Sequence, residues 1–484
     1  MSSSRPEPLL SLRTWLDHVE KIGELGVVRG AHWDKEIGAI AELSYRQREP
    51  KALVFDDVVG YASGQRILTG STGSSRRLGH TLRLGDDLDD AGLVEALRGK
   101  PSEWADAAEQ YPVEVVEDAP FLENQVDGTD VDLTAFPVPL WHEHDGGRFV
   151  GTGCFVVTTD PETGKVNGGC YRMQLQDDGR TASISAVPGK HGAQNIARWF
   201  QLHGRAPVTV SFGHDPLLLV TGGTEVPAGI SELDYAGAIA RQRVPVVLGP
   251  DTGLPIPAAS EMAMEGWLTP DNVRDEGPFG EWTGYYSGSA RPILTMDVSR
   301  LFHRDDPIQL GAPPGKPPHD YSYMRTVMKS AMIQDDLVRA GIAGVRSAWA
   351  HESGGGRLFV AVSITQRYAG HARQVGHLAS QLPAAAYMNR YVVVVDDDVD
   401  PADLDQVVWA MSTRSDPARD VEVMHRTWGS KLDPLLEPGA TPHNSRAVID
   451  ACIPYERRGT FPMVSEGDPE YLQSVRATWS HVFD

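Results

Sequence analysis

Between Phe149 and Val298 the chain breaks into short β-rich runs set off by Gly, Asp and Pro, while helical and strand patterns alternate on either side. The runs are Gly153–Thr158, Gly169–Leu175, Ala182–Val187, Val208–Phe212, Leu217–Val220, Val244–Leu248, Met262–Leu268 and Ile293–Val298, with one helix, Glu232–Arg241, among them. Runs this short, separated by turn residues, predict a barrel or an antiparallel sheet. A chain of 484 residues also exceeds what one core organises. The expected layout is therefore a mixed α/β protein in which 1–115 and 316–484 are α/β domains and 116–315 is the β-rich centre.

In the first domain Ser11 can cap a helix whose apolar residues Leu12, Trp15, Leu16, Val19 and Ile22 keep helical spacing. A second helix is predicted over Lys35–Tyr45 and a buried strand over Ala52–Phe55; the acidic, proline-bearing stretch Glu114–Pro139 reads as a linker. After Pro318 the predicted order is helix Tyr321–Ala340, strand Leu358–Ile364, helix His371–Leu382, strand Tyr391–Val395 and helix Ala402–Met411. Beyond Arg446 no period stands out, and the tail is expected to wrap on a partner subunit.

Asp and Glu number 66 against 44 Lys and Arg, a formal charge of −22. Nucleic acids and anionic membrane surfaces select basic patches, so neither is an expected partner. An anionic ligand would need a local positive site, such as a metal ion or a buried arginine, inside this negative envelope. Cys154, Cys170 and Cys452 have no zinc or CxxC spacing, and the N-terminus MSSSRPEPLL lacks the features of a secretory signal. With no apolar run of about 18 residues either, a cytoplasmic, soluble protein is expected.

Chemistry-bearing residues concentrate in a few places. In Asp275-Glu276-Gly277-Pro278-Phe279-Gly280-Glu281-Trp282 two glutamates flank a turn-forming sequence that can bring both carboxylates to one pocket. There, proximity would raise one pKa and create a proton donor, although exposed loop glutamates are the commoner source of such a pattern. In Asn167-Gly168-Gly169-Cys170-Tyr171-Arg172-Met173-Gln174, Asn167 and Arg172 would face opposite sides of an extended strand. One could hold a metal or phosphate while the other grips a carboxylate; a strand with one charged residue on its wet face is the commoner source of such a pattern. His191, and Glu232 behind a Ser231 cap, could join Asn167 around a divalent cation, or simply open helices. Asp396-Asp397-Asp398 resembles the acidic strand end of a nucleotide-sugar transferase, but a solvated turn explains it more simply. Neither GxxxxGK[ST] nor a strand–GxGxxG–helix unit is present, so ATP and NAD by the usual loops are unsupported.

Taken in order, Asn-x-x-x-Tyr-Arg-x-Gln, then His191, Ser231-Glu232-Leu233 and Glu276-Gly-Pro-Phe-Gly-Glu281, the sequence resembles the UbiD decarboxylases. Leu12-Arg13-Thr14-Trp15-Leu16, Lys51–Phe55 and Thr413–Pro417 extend the likeness over nearly the whole chain. The resemblance implies a central split β-barrel and a C-terminal domain that helps form dimers or hexamers. It implies prenylated FMN as cofactor, supplied by a separate flavin prenyltransferase. It places the catalytic network on Arg172, Glu276 and Glu281, and the flavin against Asn167, Tyr171, Arg172, Lys190, His191, Thr221, Thr224 and Glu232. A divalent ion, Mn2+ or Mg2+, falls to Asn167, His191 and Glu232, and K+ to the backbone around Thr221–Thr224. The implied reaction is the reversible, non-oxidative decarboxylation of an α,β-unsaturated or (hetero)aromatic acid. Acrylic-type, hydroxybenzoic, heteroaromatic and polyketide enoic acids all remain open, with a natural-product acid the expectation. His319 is a residue that could bond a phenol or have no substrate role. The other outcomes are a carboxylase running the same reaction backwards and a flavin-binding protein without turnover.

Overall fold

Helix Leu12–Lys21 forms where its sequence predicts. Ser11 accepts from the Thr14 N–H at 3.5 Å, and Leu12, Trp15, Leu16 and Val19 are buried. The computed structural model describes residues 7–8, 10–186 and 189–483. The N-terminal sheet runs Leu25–Arg29, Ala52–Asp56, Arg66–Thr69, Ile308–Leu310. Its last strand returns from far along the chain to pair in parallel with Arg66–Thr69.

The centre is an antiparallel sheet in the order Thr181–Ser183, Arg291–His303, Met262–Glu276, Ala206–Phe212, Phe155–Thr159, Val166–Gly169. Its path does not close on itself among the described residues. Strand Asn124–Asp127 adds to it through Arg291–His303, so part of the stretch read as a linker belongs to this sheet. A separate pair, Phe149–Gly151 with Met173–Gln174, stands where the site is built.

The run Leu217–Val220, read as a strand, lies in helix Pro216–Gly223. Four consecutive apolar residues carry no period. The deciding groups are Asp215, which accepts from the Leu217 N–H, and Pro216 at the first turn, while burial on all sides keeps the run apolar throughout. A further helix, His191–His203, also interrupts the β-rich region, so Glu232–Ala240 is not the one helix there. The expected strand Ala182–Val187 is confined to Thr181–Ser183, and Val187 lies outside the described residues.

The C-terminal sheet has the order Val345–Ala350, Phe359–Ile364, Tyr391–Asp396, His443–Asp450, Val421–Trp428. Its central strand, parallel to both neighbours, is the Val392–Val395 run, fully buried as a two-faced strand must be. The segment after Arg446 is thus in part a sheet strand, followed by helix Pro469–Thr478. The helix expected from Ala402 begins at Leu404, because Asp403 caps it by accepting from the Asp405 and Gln406 N–H groups. No helix among the described residues is long and apolar enough to cross a membrane.

Candidate active site

Arg172 sits in the break between strands Val166–Gly169 and Met173–Gln174, not on one continuous strand as read from sequence. Glu276 closes the long strand Met262–Glu276, and Glu281 follows a tight turn. Gln174 fixes that turn: its Oε1 accepts the Gly277 N–H at 2.7 Å. Gly277 has φ +89°, and Gly146 packs so closely that a Cβ there would stand 1.8 Å from the Gly277 carbonyl oxygen. Two close backbone approaches therefore aim the carboxylates.

The result is one ion-pair network. Arg172 donates through Nε and Nη2 to the two oxygens of Glu276, at 2.5 and 3.0 Å, and through Nη1 to Glu281 at 3.2 Å. Side-chain exposure is 19% for Arg172, 17% for Glu281 and zero for Glu276. Burial would lower the Arg172 pKa, but Glu276 and Glu281 outweigh it and hold the guanidinium charged. Glu281 is different. Burial raises its pKa, and Arg172 offsets this only in part. The guanidinium lies 5.2 Å from the Phe279 ring centroid and 6.0 Å from that of Phe149; the two rings pack 3.9 Å apart. The sequence reading missed Gln174 and Phe149 as positioning groups. Gln174 closes the Asn-x-x-x-Tyr-Arg-x-Gln motif, whereas no local signal marks Phe149.

A second cluster lies a few residues back. Asn167 Nδ2 donates to Glu232 at 3.0 Å, the Gly168 N–H donates to the other Glu232 oxygen at 2.7 Å, and the Tyr171 hydroxyl donates to Asn167 at 3.3 Å. Ser231 caps the helix that Glu232 opens. Lys190 and His191 are exposed at the start of helix His191–His203, and the next residue, Gly192, packs on Tyr171: a Cβ there would meet the hydroxyl at 2.4 Å. The backbone at this end thus meets Tyr171 and Asn167, while the side chains of His191 and Lys190 stay in solvent and do not join Asn167 and Glu232. Among the described residues no three His, Cys, Asp or Glu side chains converge on a metal position. Burial pushes Glu232 up to about 7, since only neutral donors face it. A buried carboxyl beside an amide oxygen is of the donor type that a hard divalent cation takes. Thr221 is buried on helix Pro216–Gly223, and its carbonyl accepts from the Thr224 hydroxyl at 3.4 Å.

A cleft beside Glu281 is lined by Tyr45, His142, Gly280, Tyr285, Tyr286 and His319. His319 is 4% exposed, and neither ring nitrogen has a partner. Burial, with Arg325 nearby, pulls its pKa down to about 3, so the ring is neutral. The acidic run Asp396–Asp398 is structural: Asp398 pairs with Arg414 at 2.7 Å, and Asp396 accepts from Gln366 at 2.7 Å.

A buried arginine braced by two carboxylates, with a second polar cluster on Asn167, Tyr171 and Glu232 a few residues back along the chain, is what the fold assembles here. The chain belongs to the UbiD family of carboxy-lyases. The 3-octaprenyl-4-hydroxybenzoate carboxy-lyase N-terminal, Rift-related and C-terminal domain models match residues 16–97, 113–317 and 322–451. The chain is 32% identical to a phenolic acid decarboxylase of Streptomyces sp. (strain D7), over 95% of this chain and 96% of that one. It is 30% identical to a pyrrole-2-carboxylic acid decarboxylase of Pseudomonas aeruginosa, over 93% and 92%. Among solved structures, the UbiD-class enzyme HmfF of Pelotomaculum thermopropionicum in complex with FMN superposes with a TM-score of 0.82 at 25% identity, covering 95% of this chain and 98% of that one.

Proposed function

We propose that this protein is a reversible, non-oxidative decarboxylase of an aromatic or heteroaromatic acid, with prenylated FMN as its cofactor. The observation that carries the reading is the Arg172 guanidinium held bidentately by Glu276 and singly by Glu281. Asn167 and Glu232, which already meet, would hold a divalent ion, Mn2+ or Mg2+, with His191, exposed at the start of its helix, turning in as the third ligand. Tyr171, Lys190, Thr221 and Thr224 would complete the surroundings, with K+ near the last two. When bound, the cofactor supplies the electron sink for the charge left as carbon dioxide departs.

The chain's own residues do the rest. Arg172, kept charged and in one rotamer by Glu276, orients the substrate carboxylate. Glu281, whose burial favours the protonated form, delivers the proton to the carbon that has lost carbon dioxide. Run backwards, the same carboxylate takes that proton, which makes the reaction reversible. His319, neutral and unpartnered on the cleft wall, supports a ring bearing a hydrogen-bonding group. The phenolic and pyrrole acids named for the relatives are of that kind.

The test is Glu281→Gln in protein co-produced with a flavin prenyltransferase. The variant is expected to keep its flavin absorption but lose turnover by about 100-fold or more, together with solvent deuterium exchange into the product. A fully active Glu281→Gln enzyme carrying prenylated FMN sinks the assignment.

A further inference from the structure

Trp282, the residue after Glu281, has two guanidinium groups over its ring: Arg325 at 5.5 Å and Arg357 at 5.8 Å from the centroid. Arg325 comes from the first turn of helix Ser322–Arg339, and Arg357 from the loop before strand Phe359–Ile364. That loop is pressed into place at Gly355 and Gly356, with φ +63° and +67°; a Cβ on Gly355 would stand 2.5 Å from the Trp282 ring. Lys329, four residues beyond Arg325, shares its face of the helix.

These cations lack what other buried arginines of the chain have. Arg77, Arg304 and Arg414 each meet a carboxylate, at 2.6, 2.9 and 2.7 Å. Among the described residues neither Arg325, Lys329 nor Arg357 has a carboxylate within 4.0 Å. Arg325 Nη1 and Arg357 Nε are buried without any hydrogen-bond partner. Glu225, exposed, acts on Lys329 and Arg357, and Asp336 on Lys329, only through space. Burial and mutual repulsion pull Lys329 down to about 8 and Arg357 to about 10. Uncompensated charge of this kind is costly, and in a chain of net charge −22 it marks a place built for an anion.

We propose that Arg325, Arg357 and Lys329 form a second oxyanion subsite, which takes a further carboxylate on the ring of the acid that Arg172 and Glu281 process. The inference rests on the decarboxylase reading above. Trp282 joins the two sites in sequence and in space: its neighbour Glu281 faces Arg172, and its ring carries the second pair of guanidiniums. Tyr321 links them as well, since Glu281, Arg325 and Arg357 all act on its hydroxyl. Two guanidinium forks over one indole suit a carboxylate.

The experiment measures binding by calorimetry on the flavin-loaded protein, so that it does not depend on turnover. The probes are benzoate and the three benzenedicarboxylate isomers. At least one diacid is expected to bind about tenfold or more tighter than benzoate, and that advantage to fall below about threefold in Arg357→Met and Arg325→Gln with flavin content retained. Arg357→Lys, which keeps the charge and loses the fork, should fall between the wild type and Arg357→Met. The wild-type comparison stands even where a variant does not fold. Equal binding of benzoate and every diacid overturns the proposal. Loss of flavin from the variants overturns it too, because the cluster would then serve the cofactor phosphate. A diacid preference without carbon dioxide release from any acid leaves the subsite standing and removes the decarboxylase reading instead.

Discussion

Arg172 divides its donors between two carboxylates that differ in setting: Glu276 is fully enclosed and bidentate, whereas Glu281 takes one longer bond and is 17% exposed. Two carboxylates on one guanidinium leave an excess negative charge, and an entering substrate carboxylate adds another. Both effects favour the proton on Glu281, whose pKa burial already raises. A raised carboxylate pKa means that the proton persists to higher pH than in a free glutamate. Turnover is therefore expected to hold at low pH and fall as pH rises through the Glu281 pKa, above the ordinary value of about 4.3. Because an unfolded glutamate ionises earlier, folding also weakens as pH rises through the same value. A profile of kcat against pH checks this, and turnover that climbs across that range contradicts the assigned donor.

At the scale of elements, Asp320 joins the N-terminal sheet to helix Ser322–Arg339. Its Oδ2 accepts the Gly70 N–H at 2.5 Å and the Tyr45 hydroxyl at 3.1 Å, and its carbonyl accepts from Thr72. Burial nevertheless pushes Asp320 from 3.8 up to about 6. Its contribution to folding is then fully present below pH 3.8 and lost as pH rises through 6, a change on the order of 3 kcal/mol. Asp320→Asn keeps an acceptor oxygen and does not ionise. The Tm of the variant relative to wild type should therefore rise between pH 4 and pH 7; a gap that stays constant with pH excludes ionisation of Asp320 in this window. Elements like these were unevenly legible in the sequence. Helix Leu12–Lys21 and strand Tyr391–Asp396 declared themselves, by a capped 3.6 period and an unbroken valine run. Helix Pro216–Gly223 did not, since its cap is one residue and its burial comes from neighbours distant in the chain. Strands Leu25–Arg29 and Val421–Trp428, at the sheet edges, owe their form to pairing rather than to pattern.

For the whole molecule, the segments that carry Arg172, Glu276 and Glu281 stood out in the sequence, while their convergence did not, because Arg172 meets the two glutamates across 104 and 109 positions; the expected grouping of His191 with Asn167 and Glu232 is not formed by their side chains. The cationic cluster was less legible still: it gathers Trp282, Arg325 and Arg357 from separate elements, and no spacing within any one of them announces it. The same long-range logic holds the N-terminal helix to the central sheet. Glu261, with no side-chain exposure, accepts from Arg13 Nε and Nη2, both at 2.9 Å, from Arg304 at 3.3 Å and from the Ile308 N–H at 3.3 Å. Glu7 supplies Arg304 with a second partner at 2.9 Å. Removing Glu261 would leave Arg13 without a carboxylate and free the start of the strand that returns to the N-terminal sheet. Glu261→Ala is accordingly expected to cost about 3–5 kcal/mol in urea denaturation, as breaking a buried pair does. Glu261→Gln, which keeps the acceptor and loses the charge, should cost less. Because the carboxylate is enclosed, 0.5 M salt, enough to screen exposed pairs at a Debye length of about 4 Å, should leave the difference between wild type and Glu261→Ala nearly unchanged. Hydrogen exchange in Leu12–Lys21 should accelerate in Glu261→Ala before that of the central sheet does, because Arg13 is the helix's tie to Glu261. If exchange instead accelerates evenly through both regions, or stability changes by less than about 1 kcal/mol, the pair is not what fastens the helix to the sheet.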